Sequence, residues 1–137
     1  MSTLYEELIH VPLFVRAPGA KPRKVDQNVT LMDLGPTILD LFGAPAPGTF
    51  MGQSLVPFLR GEDPVLTRPI AAERVYTRAM VLGSRKLVID SQKATREIFD
   101  LATDPKETKN LVDELGSEGQ AQLALMQGFF EAHARSF

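Results

Sequence analysis

The spacing of apolar residues between positions 34 and 42 predicts a helix with one buried face. That face comprises Leu34, Ile38, Leu41 and Phe42. Thr30 followed three residues later by Asp33 matches a capping box, in which each side chain satisfies a backbone N–H of the first turn. Gly43 follows directly, at the position of a left-handed C-terminal cap. We therefore expect a tight turn over residues 30–34 leading into a helix that ends near Phe42.

Residues 11–15 follow another pattern, an apolar run without polar alternation. Such runs are typical of strands buried on both faces, as in a parallel sheet covered by helices. A parallel sheet requires several such strands with crossover helices between them, yet this is the only run of its type in the sequence. We expect this strand either to pair with another molecule or to belong to a larger domain.

Short strand patterns follow residue 69. Strands are predicted over residues 70–73, 79–82, 86–89 and 97–101, which together suggest a small antiparallel sheet. Gly83-Ser84 is placed to form a hairpin turn. Because residues 62–69 resemble a linker, the chain is predicted to divide into residues 1–61 and residues 70–137.

A final helix is predicted from about Ser117 to the C-terminus, because apolar residues recur on one face at helical spacing. These residues are Leu123, Met126, Phe130, Ala134 and Phe137. We expect that face to pack on the small sheet.

Composition and charge exclude several classes of protein. A chain of 137 residues has the length of one domain. Its net charge of −2, with both signs dispersed, gives no basic footprint for nucleic acid. The absence of cysteine excludes disulfides and thiolate metal sites. No apolar run approaches the roughly 18 residues that a membrane-spanning helix needs.

Four phrases occur in a fixed order along the chain. They are Leu4-Tyr5-Glu6-Glu7 with His10-Val11-Pro12-Leu13; Asp33-Leu34-Gly35-Pro36-Thr37 through Gly43; Gly52-Gln53-Ser54-Leu55; and Ile98-Phe99-Asp100-Leu101-Ala102-Thr103-Asp104-Pro105-Lys106-Glu107 with Asn110-Leu111. Arg85-Lys86-Leu87-Val88 lies between the last two. This ordered set resembles the C-terminal portion of the sulfatases, in the alkaline phosphatase superfamily.

The resemblance implies an α/β fold in two parts. Residues 1–61 would form the end of an alkaline-phosphatase-like parallel sheet, and residues 70–137 a small antiparallel subdomain with a terminal helix. Sulfatases hydrolyse sulfate esters with calcium and a formylglycine made from a Cys/Ser-x-Pro-x-Arg motif. Ser54 to Arg60 carries similar residues at the wrong spacing. We therefore expect no catalytic residue, metal ligand or cofactor in this chain, and inertness when it is alone.

His10 is the one candidate for a substrate-binding residue. The resemblance implies that its neighbourhood lies at the rim of the active site, where an imidazole could face the substrate. The alternative is a surface histidine at the entrance of a strand. Tyr5 and Glu6 could support the same rim, or could serve packing and helix-end charge.

The acidic residues are assigned structural roles. Asp33 is expected to cap its helix and Asp40 to be solvated, rather than the two forming an acid–base pair. Asp104 and Glu107 are expected to cap a helix that begins at Pro105, because the spacing from Asp100 onward does not fit a calcium loop.

Three further candidates are also given structural explanations. Lys86 is expected to guard a sheet edge, and His133 to be exposed. Asn28-Val29-Thr30 is a glycosylation sequon, but such triplets arise often by chance and Thr30 already has a capping role.

Three functions remain open at this level. The first is the C-terminal part of a sulfuric ester hydrolase, whose partner is the missing N-terminal sulfatase core. The second is a non-catalytic interaction or scaffold protein that pairs through residues 11–15 with a partner or with a second copy of itself. The third is part of a phosphonate or phosphate monoester hydrolase of the same superfamily.

Overall fold

The computed structural model describes residues 4–134, which form two compact units. Residues 4–11 and 71–134 make up the first, here called the sheet unit, and residues 12–70 make up the second, the loop unit. Residues 4–11 thus group with the C-terminal half of the chain. The predicted division into residues 1–61 and residues 70–137 stays a prediction.

The sheet unit is built on four strands in the order β1-β2-β3-β4. The strands are β1 (Ile70–Glu73), β2 (Thr77–Leu82), β3 (Arg85–Asp90) and β4 (Thr95–Asp100). β2 and β4 each pair antiparallel with β3, and Leu87 lies between Met80 and Ile98 in the register. The predicted antiparallel sheet and the hairpin turn at Gly83-Ser84 are confirmed, and Gly83 supplies the positive φ that this turn requires.

Both faces of the sheet are covered, because successive side chains along a strand point to opposite sides. The long helix α4 (Val112–Ala134) lies on one face, as predicted. Met80, Leu87 and Ile98 pack there against Leu123, Met126 and Phe130. Phe137, also predicted on this stripe, lies outside the described residues. Gly116 adopts a non-helical conformation that divides α4 after its first turn.

The opposite face is covered by the start of the described chain. Leu4 packs against Ala79, Val88 and Phe99 just before the short helix α1 (Glu6–Ile9). The Tyr5 ring meets the Phe99 ring edge-on at a centroid distance of 5.9 Å. Residues 4–10 therefore act as a strap across this face, a term we keep for them below.

The outer edge of β4 is occupied by a side chain and a short piece of backbone. Asn110 accepts a hydrogen bond from the Ile98 N–H through Oδ1 at 3.0 Å and donates through Nδ2 to the Arg96 carbonyl at 3.1 Å. The Leu111 N–H donates to the Ile98 carbonyl at 2.8 Å. Asn110 thus substitutes for a neighbouring strand at the centre of the edge.

Residues 104–110 form a loop of turns, so the predicted helix from Pro105 is wrong. Asp104 accepts hydrogen bonds from the Lys109 N–H at 2.8 Å and the Thr108 hydroxyl at 3.0 Å. Chiefly because of the Lys109 N–H, the pKa of Asp104 is lowered from its ordinary value. The side chain that was predicted to start a helix therefore closes a loop instead.

The loop unit contains one 3₁₀ turn and two helices. A turn over Leu31–Asp33 leads into α2 (Leu34–Leu41), and α3 (Val56–Leu59) follows a loop. The capping box at residues 30–33 is confirmed. Phe42 is the C-cap of α2, near the predicted end of the helix, and Gly43 has the positive φ of a left-handed cap.

The buried side of α2 is not the predicted one. Ile38, Leu41 and Phe42 are 54%, 51% and 84% exposed, whereas Pro36 and Thr37 are buried. The reason is that the polar side of this helix binds backbone groups of a neighbouring loop. The spacing of the apolar residues therefore predicted the position of the helix correctly but its buried side wrongly.

The predicted strand over residues 11–15 is also wrong for this structure. The segment has no regular secondary structure, and its side chains are exposed, most of all Phe14 at 89%. A strand forms only with a hydrogen-bonded neighbour, and the four strands among residues 4–134 pair only with one another.

Candidate functional site

The carboxylate of Asp33 is the centre of the loop unit. It accepts hydrogen bonds from the Thr30 N–H, the Gln53 N–H and the Arg68 Nε, each at 2.8 Å, and Arg68 Nη2 completes a two-pronged ion pair. Asp33 is fully buried and the Arg68 side chain is 9% exposed. We call these four residues the Asp33 cluster. Four donors satisfy both carboxylate oxygens, which is what a buried charge requires.

Two further side chains of α2 continue this contact. The Thr37 hydroxyl accepts a hydrogen bond from the Leu55 N–H at 2.8 Å and donates to the Asp33 carbonyl. Asp40 accepts the Ser54 hydroxyl at 2.5 Å, so it is a hydrogen-bond partner rather than merely solvated. Asp33, Thr37 and Asp40 are spaced four and three residues apart, which places them on one side of the helix.

Gly52 permits the close approach of the two segments. A Cβ at this position would lie 2.0 Å from the Met32 carbonyl oxygen, so only glycine fits without moving the backbone. The second and third phrases of the sequence are therefore parts of one hydrogen-bonded assembly. The two segments hold each other in place, and the side chains of Asp33, Thr37 and Asp40 are all engaged in these hydrogen bonds.

A second buried ion cluster lies under the strap of the sheet unit. Lys86 is fully buried, and its Nζ lies 2.9 Å from Glu6 Oε1 and 2.9 Å from Glu107 Oε1. The contact with Glu6 is a hydrogen bond, whereas the Glu107 Oε1 contact is angled away from one and is an ion pair alone. Glu107 Oε2 accepts the Glu6 N–H at 2.6 Å. We call these residues the Lys86 cluster.

This cluster overturns two expectations. Lys86 does not guard an edge, because β3 is an internal strand and its ammonium is enclosed by two carboxylates. Glu107 does not cap a helix; its side chain is 2% exposed and its backbone has a φ of 54°, which is unfavourable for a residue other than glycine. The first and fourth phrases therefore meet at Lys86.

Tyr5 belongs to the same strap. Its hydroxyl donates to both oxygens of Glu97, at 3.2 and 3.4 Å. Burial first, and then the negative charge of Glu97, raise the pKa of the Tyr5 phenol. The strap is thus held to the sheet by the apolar contacts of Leu4, by the hydrogen bonds of the Tyr5 hydroxyl to Glu97 and by the ion pair of Glu6 with Lys86.

His10 follows α1 directly and is the predicted substrate-binding residue. Its Nδ1 lies 3.3 Å from Glu6 Oε2, and its side chain is 68% exposed. The structure therefore places this imidazole at the surface, beside the Lys86 cluster. Its contact with a substrate stays a prediction.

His133 is half-buried rather than exposed. Its Nδ1 lies 2.6 Å from the Phe129 carbonyl, and its ring stacks on the Phe129 ring at a centroid distance of 4.2 Å. Across residues 4–134, no three His, Asp or Glu side chains converge in a group suited to a metal ion. Nor does that part of the chain contain a helix of the length and apolarity needed to cross a membrane.

Sequence reasoning missed Arg68 altogether, because it lies in a stretch interpreted as a linker. A buried aspartate needs a cation beside it, and this requirement could have indicated Arg68. It becomes apparent, however, only once Asp33 is known to be buried.

The family model described as "N-sulphoglucosamine sulphohydrolase, C-terminal" matches residues 2–128. The chain belongs to this family. The resemblance to the C-terminal portion of a sulfatase is thereby confirmed. In this chain the Asp33 cluster joins the second and third phrases, and the Lys86 cluster joins the first and the fourth.

Individual relatives agree with the family. The domain is 34% identical over 122 residues to the Delta 4,5-hexuronate-2-O-sulfatase of Bacteroides thetaiotaomicron, covering 80% of this chain and 25% of that protein. It spans about a quarter of the length of that relative. The solved structure of a 2-O GAG sulfatase matches with a TM-score of 0.56 at 28% identity, over 77% of this chain and 26% of that one.

A phosphonate monoester hydrolase from Silicibacter pomeroyi has the same fold. Its structure matches with a TM-score of 0.60 at 22% identity, over 89% of this chain and 28% of that one. The predicted mixed α/β class, with a small antiparallel sheet and a C-terminal helix, is confirmed.

Proposed function

We propose that the chain is the C-terminal domain of a sulfuric ester hydrolase, that it is inert alone, and that it completes an N-terminal sulfatase core. The observation that carries this proposal is the match of residues 2–128 to a C-terminal sulfatase family, together with a sulfatase relative of which the chain covers only 25%. In the complete enzyme, the nucleophile and the metal ligands would come from the core, as the resemblance implies.

The surface of the loop unit supports a partner of this kind. Ile38, Leu41 and Phe42 form an exposed apolar side of α2, and Phe14 is more exposed still. Exposed apolar surface of this extent is typical of an interface rather than of a free surface. A sulfatase core in contact with that side would remove it from water.

Hydrolysis of sulfate esters tests both parts of the proposal. The purified chain should show no turnover of an aryl sulfate above buffer; turnover that survives repurification would contradict the proposed inertness. In a chimera, this chain replaces the matched C-terminal region of the Bacteroides thetaiotaomicron sulfatase. Assayed on the 2-O-sulfated Δ4,5-hexuronate for which the parent enzyme is named, the chimera should show turnover, whereas the same core truncated before that region should not. An inactive chimera beside an active parent enzyme would contradict the proposed role.

Self-pairing through residues 11–15 is the second candidate. The exposure of Leu13, Phe14 and Val15 favours it, because an extended apolar segment can be covered by a second copy. Light scattering after size-exclusion chromatography should then show a dimer that Phe14→Asp converts to a monomer. A monomer at all concentrations would contradict self-pairing and leave the core as the partner.

The phosphonate monoester hydrolase neighbour keeps the alternative reaction open within the proposal. Assaying the enzyme that naturally contains this chain on an aryl sulfate and an aryl phosphonate monoester separates the two, because the same assay measures the release of the same phenol. Faster hydrolysis of the sulfate is the expected result.

A further inference from the structure

The Lys86 cluster is built in a way that stability alone does not explain. Lys86 lies beside Val81, Val88 and Phe99 on the face of the sheet that the strap covers, and it is itself fully buried. Burying an ammonium costs more than an apolar side chain of similar volume would, even when carboxylates pair with it. Glu107 adds the cost of a left-handed backbone at a residue with a Cβ.

The cluster does fix the orientation of one carboxylate. Glu6 Oε1 is held by Lys86 Nζ, and the Glu6 backbone is held by Glu107 through its N–H. With Oε1 engaged, Oε2 of Glu6 lies 3.3 Å from Nδ1 of His10, an ion-pair distance at which the geometry is not that of an aligned hydrogen bond. A carboxylate beside Nδ1 favours the tautomer that carries its proton on that nitrogen, which directs Nε2 away from the cluster.

We propose that Glu6, held by Lys86 and Glu107, is a positioning residue that orients His10 so that Nε2 faces the substrate of the complete enzyme. The proposal rests on the function proposed above. His10 would contact a hydroxyl or sulfate oxygen of the substrate through Nε2. Glu6, Lys86 and Glu107 would contact only one another and His10.

The tautomer can be measured on the isolated chain. The sequence contains only two histidines, so a long-range proton–nitrogen correlation spectrum of ¹⁵N-labelled protein resolves both rings, and His10→Gln assigns them. At a pH where both rings are neutral, His10 should carry its proton on Nδ1. Glu6→Gln should shift His10 toward the Nε2–H form that a free imidazole prefers. Lys86→Met should do the same if it folds.

Two references belong in the same spectra. Glu114→Gln alters an exposed ion pair of the same unit and should leave His10 unchanged. The ring signals of His133 should stay unchanged in all of these variants, because its Nδ1 contacts the Phe129 carbonyl and not the Lys86 cluster. An Nε2–H tautomer for His10 in the unmodified chain, or no change in Glu6→Gln, would overturn the proposed positioning.

The chimera tests the consequence for the reaction. His10→Ala and Glu6→Gln should each lower kcat/KM on the order of tenfold, the loss expected for one hydrogen bond to a charged group. The double variant should lose no more than His10→Ala alone, because Glu6 acts through His10. If the losses of the two single variants multiply in the double variant, or if His10→Ala is fully active, the proposed contact of His10 with the substrate would be overturned. An inactive unmodified chimera would count against the proposed function, while the tautomer measurement would still decide the positioning.

Discussion

The two units of the chain bury different kinds of residue. Among the described residues, the buried apolar side chains of the loop unit are Pro36, Leu55, Val56 and Phe58. Those of the sheet unit are Leu4, Ala79, Met80, Val81, Leu87, Val88, Ile98, Phe99, Leu123, Met126 and Phe130. The loop unit is instead organised around the Asp33 cluster. A buried ion pair determines geometry more than it adds stability, so the loop unit is held in shape with little apolar burial of its own.

The difference indicates which unit can stand alone. Apolar burial is the dominant favourable term in folding, and the sheet unit has it on both faces of its sheet. The loop unit exposes several large apolar side chains and buries few of them, and the contacts that organise it are buried hydrogen bonds and an ion pair. We therefore expect its stability to depend on a few hydrogen-bonded side chains.

The largest expected effect is that of Asp33→Ala. The substitution leaves the guanidinium of Arg68 buried without its carboxylate and should destabilise the loop unit by about 3–5 kcal/mol. Amide hydrogen exchange followed by mass spectrometry should show lost protection over residues 30–59 and unchanged protection in the four strands. The exposed carboxylate of Asp26 provides the control, and Asp26→Ala should change neither. Loss of protection throughout the chain would mean that the two units unfold together.

In the sheet unit, Met126→Ala should destabilise by about 2–5 kcal/mol, because it opens a cavity beneath α4 at a fully buried position. Leu125→Ala on the same helix is the matched control: Leu125 is 64% exposed, and its loss should stay within about 0.5 kcal/mol. Urea unfolding followed by circular dichroism measures both. Equal effects would contradict the assignment of the core.

A smaller effect is expected from Thr37→Val. The substitution keeps the shape of the side chain but leaves the buried N–H of Leu55 without an acceptor, at a cost of about 1–3 kcal/mol. Thr67→Val changes an exposed threonine of the same unit and should be nearly silent. Exchange of the Leu55 amide is the direct measurement, and unchanged protection in Thr37→Val would contradict the hydrogen bond.

The smallest effect on the isolated chain is that of Phe42→Ser. At 84% exposure this side chain should contribute within about 0.5 kcal/mol to stability, while its removal should reduce binding of an apolar dye. In the chimera, the same substitution should lower the melting temperature, because Phe42 would there be covered. If Phe42→Ser changed the melting temperature of the isolated chain and of the chimera equally, the result would argue against contact between α2 and the core.

Local signals predicted the elements of the fold better than their environments. The short strand patterns along residues 79–101 and the glycine at position 83 were enough to predict the strands and their turn, because hairpins depend on neighbouring residues. The capping box at residues 30–33 was equally local. The helix predicted from Pro105 failed, because Asp104 bonds Thr108 and Lys109 in a loop instead.

Burial could not be predicted in the same way. Lys86 is enclosed by Glu6 and Glu107, 80 and 21 positions away, and no sequence periodicity connects them. The inward side of α2 depends on backbone N–H groups of residues 53 and 55, which spacing within the helix does not reveal. His10 could be proposed as a site residue from resemblance, but its relation to Glu6 required the structure.

Asn110 has a consequence for how this protein would aggregate. Its amide occupies hydrogen-bonding groups of Ile98 and Arg96 that an incoming chain would otherwise use. The addition of a further strand to the β4 edge is therefore blocked at the centre of that edge. Removing the amide, as in Asn110→Val, would reopen a template for cross-β addition. A single planar side chain thereby protects the β4 edge of the sheet as well as closing its own loop.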